Sequence, residues 1–428
     1  MHARLHIFDD GRGRFGPLTD LRAIFEVRTG ALSTRQRIER ALALPLAASH
    51  VPARLARVVA ERRNIPVNEP LAPGDWFLVN GRWLGVHAAA QVRSLPRGQV
   101  LLTADGQLVA AHLPHDKAQV IIDTGFESPP GIHANRLPAA TIDPYAPSTE
   151  AIAAQRVLID RPWHILDQLE TTLAADLESF DLPALNPATS PQVSLIGSHP
   201  CKVAADAKIM PMVVINTEKG AVVIDSGAQI HSFTVLNGPC YIGPRSTINA
   251  HSDIRANTAI GPSCKVGGEV SFSIIQGYTN KAHLGYLGHS LVGAWVNFGA
   301  GTTVSNLKNT YGSIRVQLEK NGAAEDTGRT FLGPIIGDFT LTAIGSRILT
   351  GSCIATGTML AVSAFAPKLT ERFSFHTDDG AEHYDIEKFL DMARRMTTRR
   401  CCGLKQGEEM LLRAVHESRR QVVSSASR

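Results

Sequence analysis

Aliphatic side chains return at every sixth position through the middle of the chain, at Ile224, Ile230, Leu236, Ile242, Ile248, Ile254, Ile260 and Val266, with Phe272 extending the series. A helix would space them by about 3.6 residues and a strand by about 2, so neither element alone accounts for the series. A solenoid of hexapeptide repeats does. Each six-residue step is one short strand and a corner, and stacked coils bury the recurring aliphatic in a column. The pattern predicts such a solenoid over 193–366. Its beat loosens over 277–301 among glycines and polar residues and leaves the pattern in the polar stretch 307–332. It returns at Ile336, Thr342, Ile348, Ile354 and Leu360. A loop inserted at one corner gives that signature, and insertions in solenoids gather on one face, often the functional one.

The flanking patterns differ. The first stretch reads α/β: a strand over Leu5 to Phe8 runs into the glycine-rich loop 9–17, and buried strands are expected at Trp76 to Val79, Val100 to Leu102 and Val120 to Ile122. Ser33 and Gln36 have capping-box spacing, so a helix is expected to start after Ser33. Helical periodicity runs from Ser148 to about Ser179, and a loop rich in Pro, Asn, Ser and Thr (Leu182 to Gln192) closes the region. The tail from Asp385 to Val423 reads as helical. Ile386, Phe389, Leu390, Ala393 and Met396 form one stripe, and Arg394, Arg395, Arg399, Arg400, Arg413, Arg419 and Arg420 supply charge. A solvated face on a helix that caps the solenoid end explains that tail more simply than a nucleic-acid site. The organisation expected is an α/β domain over 1–190, a solenoid over 191–370 and a helical tail over 371–428.

Composition narrows the classes. A chain of 428 residues exceeds one core, and 44% hydrophobic with 19% charged residues is the balance of a globular protein. A net charge of +4 does not argue for nucleic acid, although anionic substrates would be welcome. The six cysteines (Cys201, Cys240, Cys264, Cys353, Cys401, Cys402) form no CxxC pair and no metal spacing, which suits a reducing cytoplasm. The first residues lack a long apolar core, so no signal peptide is expected, and no stretch approaches the ~20 apolar residues of a membrane span.

Candidate chemistry concentrates where the beat loosens. Tyr278, Asn280, Lys281, His283, Tyr286 and His289 are followed by Asn297, Asn306 and Lys308. A solvent-facing corner has no packing need for that set, although His283 alone would pass as a surface histidine and Asn297 or Asn306 as turn residues. Acyl transfer from a thioester does need such groups. A base must take a proton from the attacking amine, donors must stabilise the oxyanion, and a cation such as Lys281 or Lys308 could hold a phosphate.

The segment His283-Leu284-Gly285-Tyr286-Leu287-Gly288, with Val296-Asn297-Phe298-Gly299-Ala300-Gly301 after it, resembles the acetyltransferase half of a bifunctional bacterial family. That family joins N-acetylglucosamine-1-phosphate uridylyltransferase to glucosamine-1-phosphate N-acetyltransferase, and this chain resembles most its divergent sugar nucleotidyltransferase branch. The resemblance implies a left-handed parallel β-helix that assembles as a homotrimer, with acetyl-CoA bound between subunits. It implies His283 as catalytic base, Asn297 and Tyr286 beside it, and Arg255 and Asn306 on the sugar phosphate. Ala300 and Ser346 would lie against the acetyl-CoA arm. The family's upstream lysine falls near Ser271, leaving Lys281 or Lys308 to compensate.

The N-terminal stretch resembles the nucleotidyltransferase half, a GT-A or Rossmann-like α/β domain. Gly11, Gly13 and Arg14 stand in the shortened glycine-rich loop whose backbone N–H groups would cradle nucleotide phosphates. Leu18-Thr19, Arg22, Glu26, Arg28 and Gly30 follow the divergent branch's pattern. The family's lysine falls near Ile24, and its metal-binding aspartate falls near Asn80-Gly81-Arg82. Arg14, Arg22 and Arg28 are therefore the candidate cations, and Asp9, Asp10 and Asp75 the candidate Mg²⁺ ligands. The resemblance implies a sugar 1-phosphate and a nucleoside triphosphate as substrates; charge and hydropathy lead us to expect no nucleic-acid or membrane partner. Open alternatives are a nucleotidyltransferase with a structural β-helix, an acetyltransferase with a silent N-terminal domain, and a non-catalytic trimeric scaffold.

Overall fold

The computed structural model describes residues 3–127, 133–137, 156–186 and 192–425. Contacts divide them into two compact units, 1–14 with 21–168, and 15–20 with 169–428.

The first unit is built on a six-stranded sheet. Its strands are β1 (Arg4–Phe8), β2 (Leu46–His50), β3 (Asp75–Asn80), β4 (Gln99–Leu102), β5 (Leu108–Pro114) and β6 (His133–Arg136), in the order β2-β1-β3-β5-β4-β6. β1 runs parallel to both β2 and β3, whereas β5 is antiparallel to β3 and β4. Leu5, Ile7, Phe8, Leu78 and Val79 are buried, so the apolar runs of β1 and β3 lie in the centre of the sheet. The helix expected after Ser33 spans Thr34–Leu42, and its capping box is present: the Gln36 N–H donates to Ser33 Oγ, and the Ser33 N–H donates to Gln36 Oε1. Val120 to Ile122 is not a strand. It lies in the helix His115–Asp123, which buries Ala118, Ile121 and Ile122 along one side; three apolar residues are too few to separate the two periods. Of the helical stretch expected from Ser148, residues 148–155 lie outside the described residues, and the rest forms Pro162–Asp167 and Leu169–Glu178.

The second unit is a three-faced parallel solenoid. One face carries Ser194–Ile196, Val214–Asn216, Val235–Asn237, Asp253–Ile254, Glu269–Ser271 and Tyr286–Gly288. A second face runs from Cys201–Val203 to Cys353–Ile354, and a third includes Lys265–Val266 and Asn280–Lys281. The predicted column is real: Ile224, Ile230, Leu236, Ile242, Ile248, Ile254, Ile260 and Val266 are fully buried. Each is worth about 1.5–3 kcal/mol of burial. Phe272 does not extend it. The coil shortens at Gly267-Gly268, Val270 takes the inward place opposite Ile254, and Phe272 moves to a corner with φ of 46°. The beat resumes as expected at Ile336, Thr342, Ile348, Ile354 and Leu360, all buried. The excursion between is closed at its base by a bridge from Leu307 to Phe331, and carries a small hairpin, Arg315–Val316 with Glu325–Asp326.

The boundary expected near residue 190 falls earlier because Leu169–Glu178 packs on the solenoid. Lys202 Nζ donates to the carbonyls of Leu177, Glu178 and Phe180, and Asn257 donates to Glu170. The tail forms two helices, Ile386–Thr398 and Gln406–Ser425, and belongs to the same unit. Phe389 packs edge-on against Phe339 and Phe373. Arg394 pairs with Glu409 and Arg413 with Glu387 within the tail, and Arg400 donates to the Ser263 carbonyl of the solenoid, so these arginines are committed to packing the tail. The side chains of Arg419 and Arg420 lie outside the described residues. Cys201, Cys240, Cys264 and Cys353 are buried free thiols.

Candidate active site

The corner that carries His283 is set by glycine below and a lysine inside. A side chain at Gly267 would collide with the Ala282 carbonyl oxygen and come within 2.8 Å of its carbon, so only glycine lets the two coils approach. Lys281 pairs with Val266 in the inward column and is almost fully buried. Its stem fills the core, while Nζ donates to the carbonyls of Gly267 (2.6 Å) and His283 (3.1 Å). Burial lowers its pKa to about 8. Lys281 is therefore a strut under the His283 corner and not a phosphate ligand. Its pairing with Val266, fifteen residues earlier, points it inward, out of phase with the six-residue beat.

His283 itself is exposed, and its imidazole makes no hydrogen bond among the described residues. Three residues on, Tyr286 lies across Gly288, where any side chain would collide with the phenol. Its hydroxyl accepts from Asn306 Nδ2 at 2.9 Å, and the same amide nitrogen lies 2.8 Å from His289 Nδ1. Burial, reinforced by the Glu269 carboxylate, pushes the Tyr286 phenol up. Arg255 stands on the same face, paired with Glu269 (2.9 Å) and Asp253 (3.2 Å). Arg255, Tyr286 and Asn306 thus come together on one face.

His289 is the residue that sequence reading left without a role. Its ring stacks between Phe272 (centroids 4.7 Å apart) and Phe331 (5.3 Å). Burial and the nearby Arg329 lower its pKa to about 4, so it is neutral above pH 5 and can act as acceptor for the Asn306 amide. The aromatic residues at 272 and 331 were the available signal, but they become neighbours only through the corner at 272 and the return of the 305–335 excursion.

The other expected residues are placed differently. Asn297 continues the third face between Asn280 and Leu341, and its Oδ1 accepts from Asn280 Nδ2 at 2.7 Å. Ala300 lies at the corner above His283's coil, where its carbonyl accepts from the Gly345 N–H. Ser346 is buried, with its hydroxyl donated to the Ala343 carbonyl, so it does not offer that hydroxyl to a ligand. Lys308 Nζ is bonded to the Ser313 carbonyl and ties down the excursion instead of reaching the Arg255 face.

In the first unit, Gly11 (φ 67°) and Gly13 (φ 83°) make the tight loop that their spacing suggested. The amides turn back on the chain, however. Gly11 N–H donates to Asp9 Oδ1 and Arg12 N–H to Asp10 Oδ1. Arg14 is exposed, with its backbone N–H on the Asp160 carbonyl, Arg22 is buried, and Arg28 bonds the Ala31 carbonyl. Asp9 also accepts from the Ile24 N–H, and burial raises its pKa. A cleft of about 460 Å³ opens beside Asp9, Asp10, Gly11, His50, Asn68 and Phe126.

The three candidate metal ligands do not form a set. Asp75 opens β3, whereas Asp9 and Asp10 follow the far end of β1, and the parallel register puts Asp75 about 20 Å from Asp9 along the strands. Asp75 accepts from Nε and Nη2 of Arg97, each at 2.9 Å. Asp10 is bound by Arg82 and Asn80. Among the described residues no group of three His, Cys, Asp or Glu side chains is placed to hold a metal ion. Asp9, Asp10 and Asp75 therefore do not together fit Mg²⁺.

Residues 5–182 match the family model described as sugar nucleotidyl transferase. The chain is 38% identical over 135 residues to a bifunctional sugar-1-phosphate nucleotidylyltransferase/acetyltransferase of Sulfurisphaera tokodaii, covering 31% of this chain and 33% of that one. It is 34% identical over 110 residues to the bifunctional protein GlmU of Gloeobacter violaceus (25% and 24%), and 32% over 151 residues to that of Jannaschia sp. (34% and 32%). Each match spans a third or less of the relative's length. The resemblance read from the motifs is thereby supported: both halves of the bifunctional name recur among the relatives, and the solenoid is the fold expected of the acetyltransferase half. No helix among the described residues is long and apolar enough to cross a membrane.

Proposed function

We propose that this protein is a transferase of nucleotide-sugar synthesis whose solenoid moves an acetyl group from acetyl-CoA to the amino group of an amino-sugar 1-phosphate. The observation that carries the reading is an exposed, unengaged His283 imidazole on the coil of Tyr286, whose face also carries Arg255 and Asn306 from neighbouring coils. His283 takes the proton from the amine as its nitrogen attacks the thioester carbon. The C–N bond forms, the C–S bond breaks, and the thiol of coenzyme A leaves with a proton. Tyr286 and Asn306 orient the sugar, held in register by His289, and Arg255 faces the phosphate. Asn297 and Ala300 line the path of the thioester arm. The homotrimer expected from the family completes that path with a neighbouring subunit, and the cytoplasm supplies the substrates.

The N-terminal unit is proposed to act on the sugar 1-phosphate with a nucleoside triphosphate, supported by the match over 5–182. The saturated Asp10 favours a second reading, in which only the solenoid is catalytic. One experiment separates them. Purified protein is incubated with glucosamine 1-phosphate, acetyl-CoA and UTP, with Mg²⁺ or with EDTA, and products are weighed by mass spectrometry. An acetylated sugar phosphate is expected, with His283→Ala abolishing it and leaving any nucleotidyl product unchanged. A protein that yields neither mass change is not this transferase.

A further inference from the structure

Asp10 and Asp160 share one partner in the first unit, Arg82. Its side chain is wholly buried. Nε donates to Asp10 Oδ1 (3.0 Å) and Oδ2 (3.2 Å), and Nη2 donates to Asp10 Oδ2 (2.7 Å) and Gln107 Oε1 (2.6 Å). Nη1 reaches Asp160 Oδ1 and the Ile159 carbonyl. An arginine has five N–H donors, and all of them find acceptors here.

The carboxylate side is equally full. Asp10 also receives the Arg12 N–H at 3.0 Å and Asn80 Nδ2 at 3.0 Å, so its two oxygens hold five contacts where about four lone-pair sites exist. Asn80 is itself fixed by the Leu108 carbonyl at 2.9 Å and by the Arg82 N–H, which donates to its Oδ1. A divalent cation needs oxygen ligands with free lone pairs within about 2.1–2.6 Å. To bind Asp10 it would have to expel a buried guanidinium and leave that charge without its partner.

We propose that Arg82 is a resident cation: it occupies the charge position at Asp10 permanently, so this carboxylate ligates no divalent metal and nucleotide binding by this unit does not depend on a metal held there. The inference does not rest on the acyl-transfer reading, because its readouts are metal uptake and nucleotide affinity.

The full-length protein is titrated with Mn²⁺ while the free ion is followed by electron paramagnetic resonance, in wild type, Asp10→Asn and Arg82→Met. UTP affinity is then measured by calorimetry in Mg²⁺ and in EDTA. The wild type should remove no Mn²⁺ that Asp10→Asn fails to remove. UTP affinity in the two buffers should agree within a factor of about two. Where Arg82→Met retains the native circular dichroism, it should gain Mn²⁺ uptake. One Mn²⁺ per chain that disappears in Asp10→Asn overturns the proposal, as does a tenfold gain in UTP affinity on adding Mg²⁺ that the same variant erases. The wild-type and Asp10→Asn arms decide the matter even if Arg82→Met does not fold.

Discussion

Lys281 shows how one buried charge can serve a site without touching substrate. Its folded pKa of about 8 lies below the free lysine value of about 10.4, so the unfolded chain binds more protons between those two values. Stability from this group therefore rises with pH through that window, and below it the buried ammonium opposes folding. Replacing Lys281 with Met keeps the stem and removes the titration. Urea unfolding at about pH 7.5 and pH 10 should show wild type gaining about 2 kcal/mol over Lys281→Met. Equal gains in both proteins would mean that the amine is solvated. His289 obeys the same logic at the acid end: it stays neutral because burial between two phenyl rings and the approach of Arg329 disfavour its charge.

At the scale of the element, the shortened coil at Gly267-Gly268 creates the site. Removing two residues from one step brings the Ala282–Gly285 corner down onto Gly267 and sends Phe272 outward to stack on His289. Gly267→Ala puts a methyl group into the Ala282 backbone, which an overpacked site resists by about 1–3 kcal/mol. Gly345 has a positive φ (70°) but open space around it, so Gly345→Ala should cost only about 1 kcal/mol. Thermal melts and acetyl-transfer assays on both variants should show Gly267→Ala losing activity well beyond its loss of stability and Gly345→Ala losing neither substantially. The element's existence was legible from the six-residue beat, and the capping box from Ser33 and Gln36. The shortening was not, because Val270 and Phe272 are both apolar and only coil-to-coil register tells which one faces in.

On the scale of the whole molecule, the solenoid corners expose large apolar side chains. Leu284, next to His283, is 74% exposed and Ile344 is 79% exposed. Apolar groups left bare beside a candidate site fit burial by a second copy of the chain. Sedimentation velocity should give a trimer, and Leu284→Glu with Ile344→Glu should shift it to monomer and suppress acetyl transfer. A monomeric wild type with full activity would refute the shared site.

A repeat is written locally: each aliphatic meets the one a coil away because equal steps of chain bring it there, so the solenoid, its interruption and its resumption were all determined by the sequence. The motif 283–288 likewise put His283, Tyr286 and Gly288 on one coil. Whether a charged side chain is available depends on partners far along the chain. Asp75 lies at the wrong end of its strand, Ser346 and Lys308 spend their donors on backbone, and Asp10 is claimed by an arginine 72 residues away. Those outcomes were decided only by the tertiary structure, because hydrogen bonds between distant residues are set by strand register and burial, which no short stretch of sequence contains.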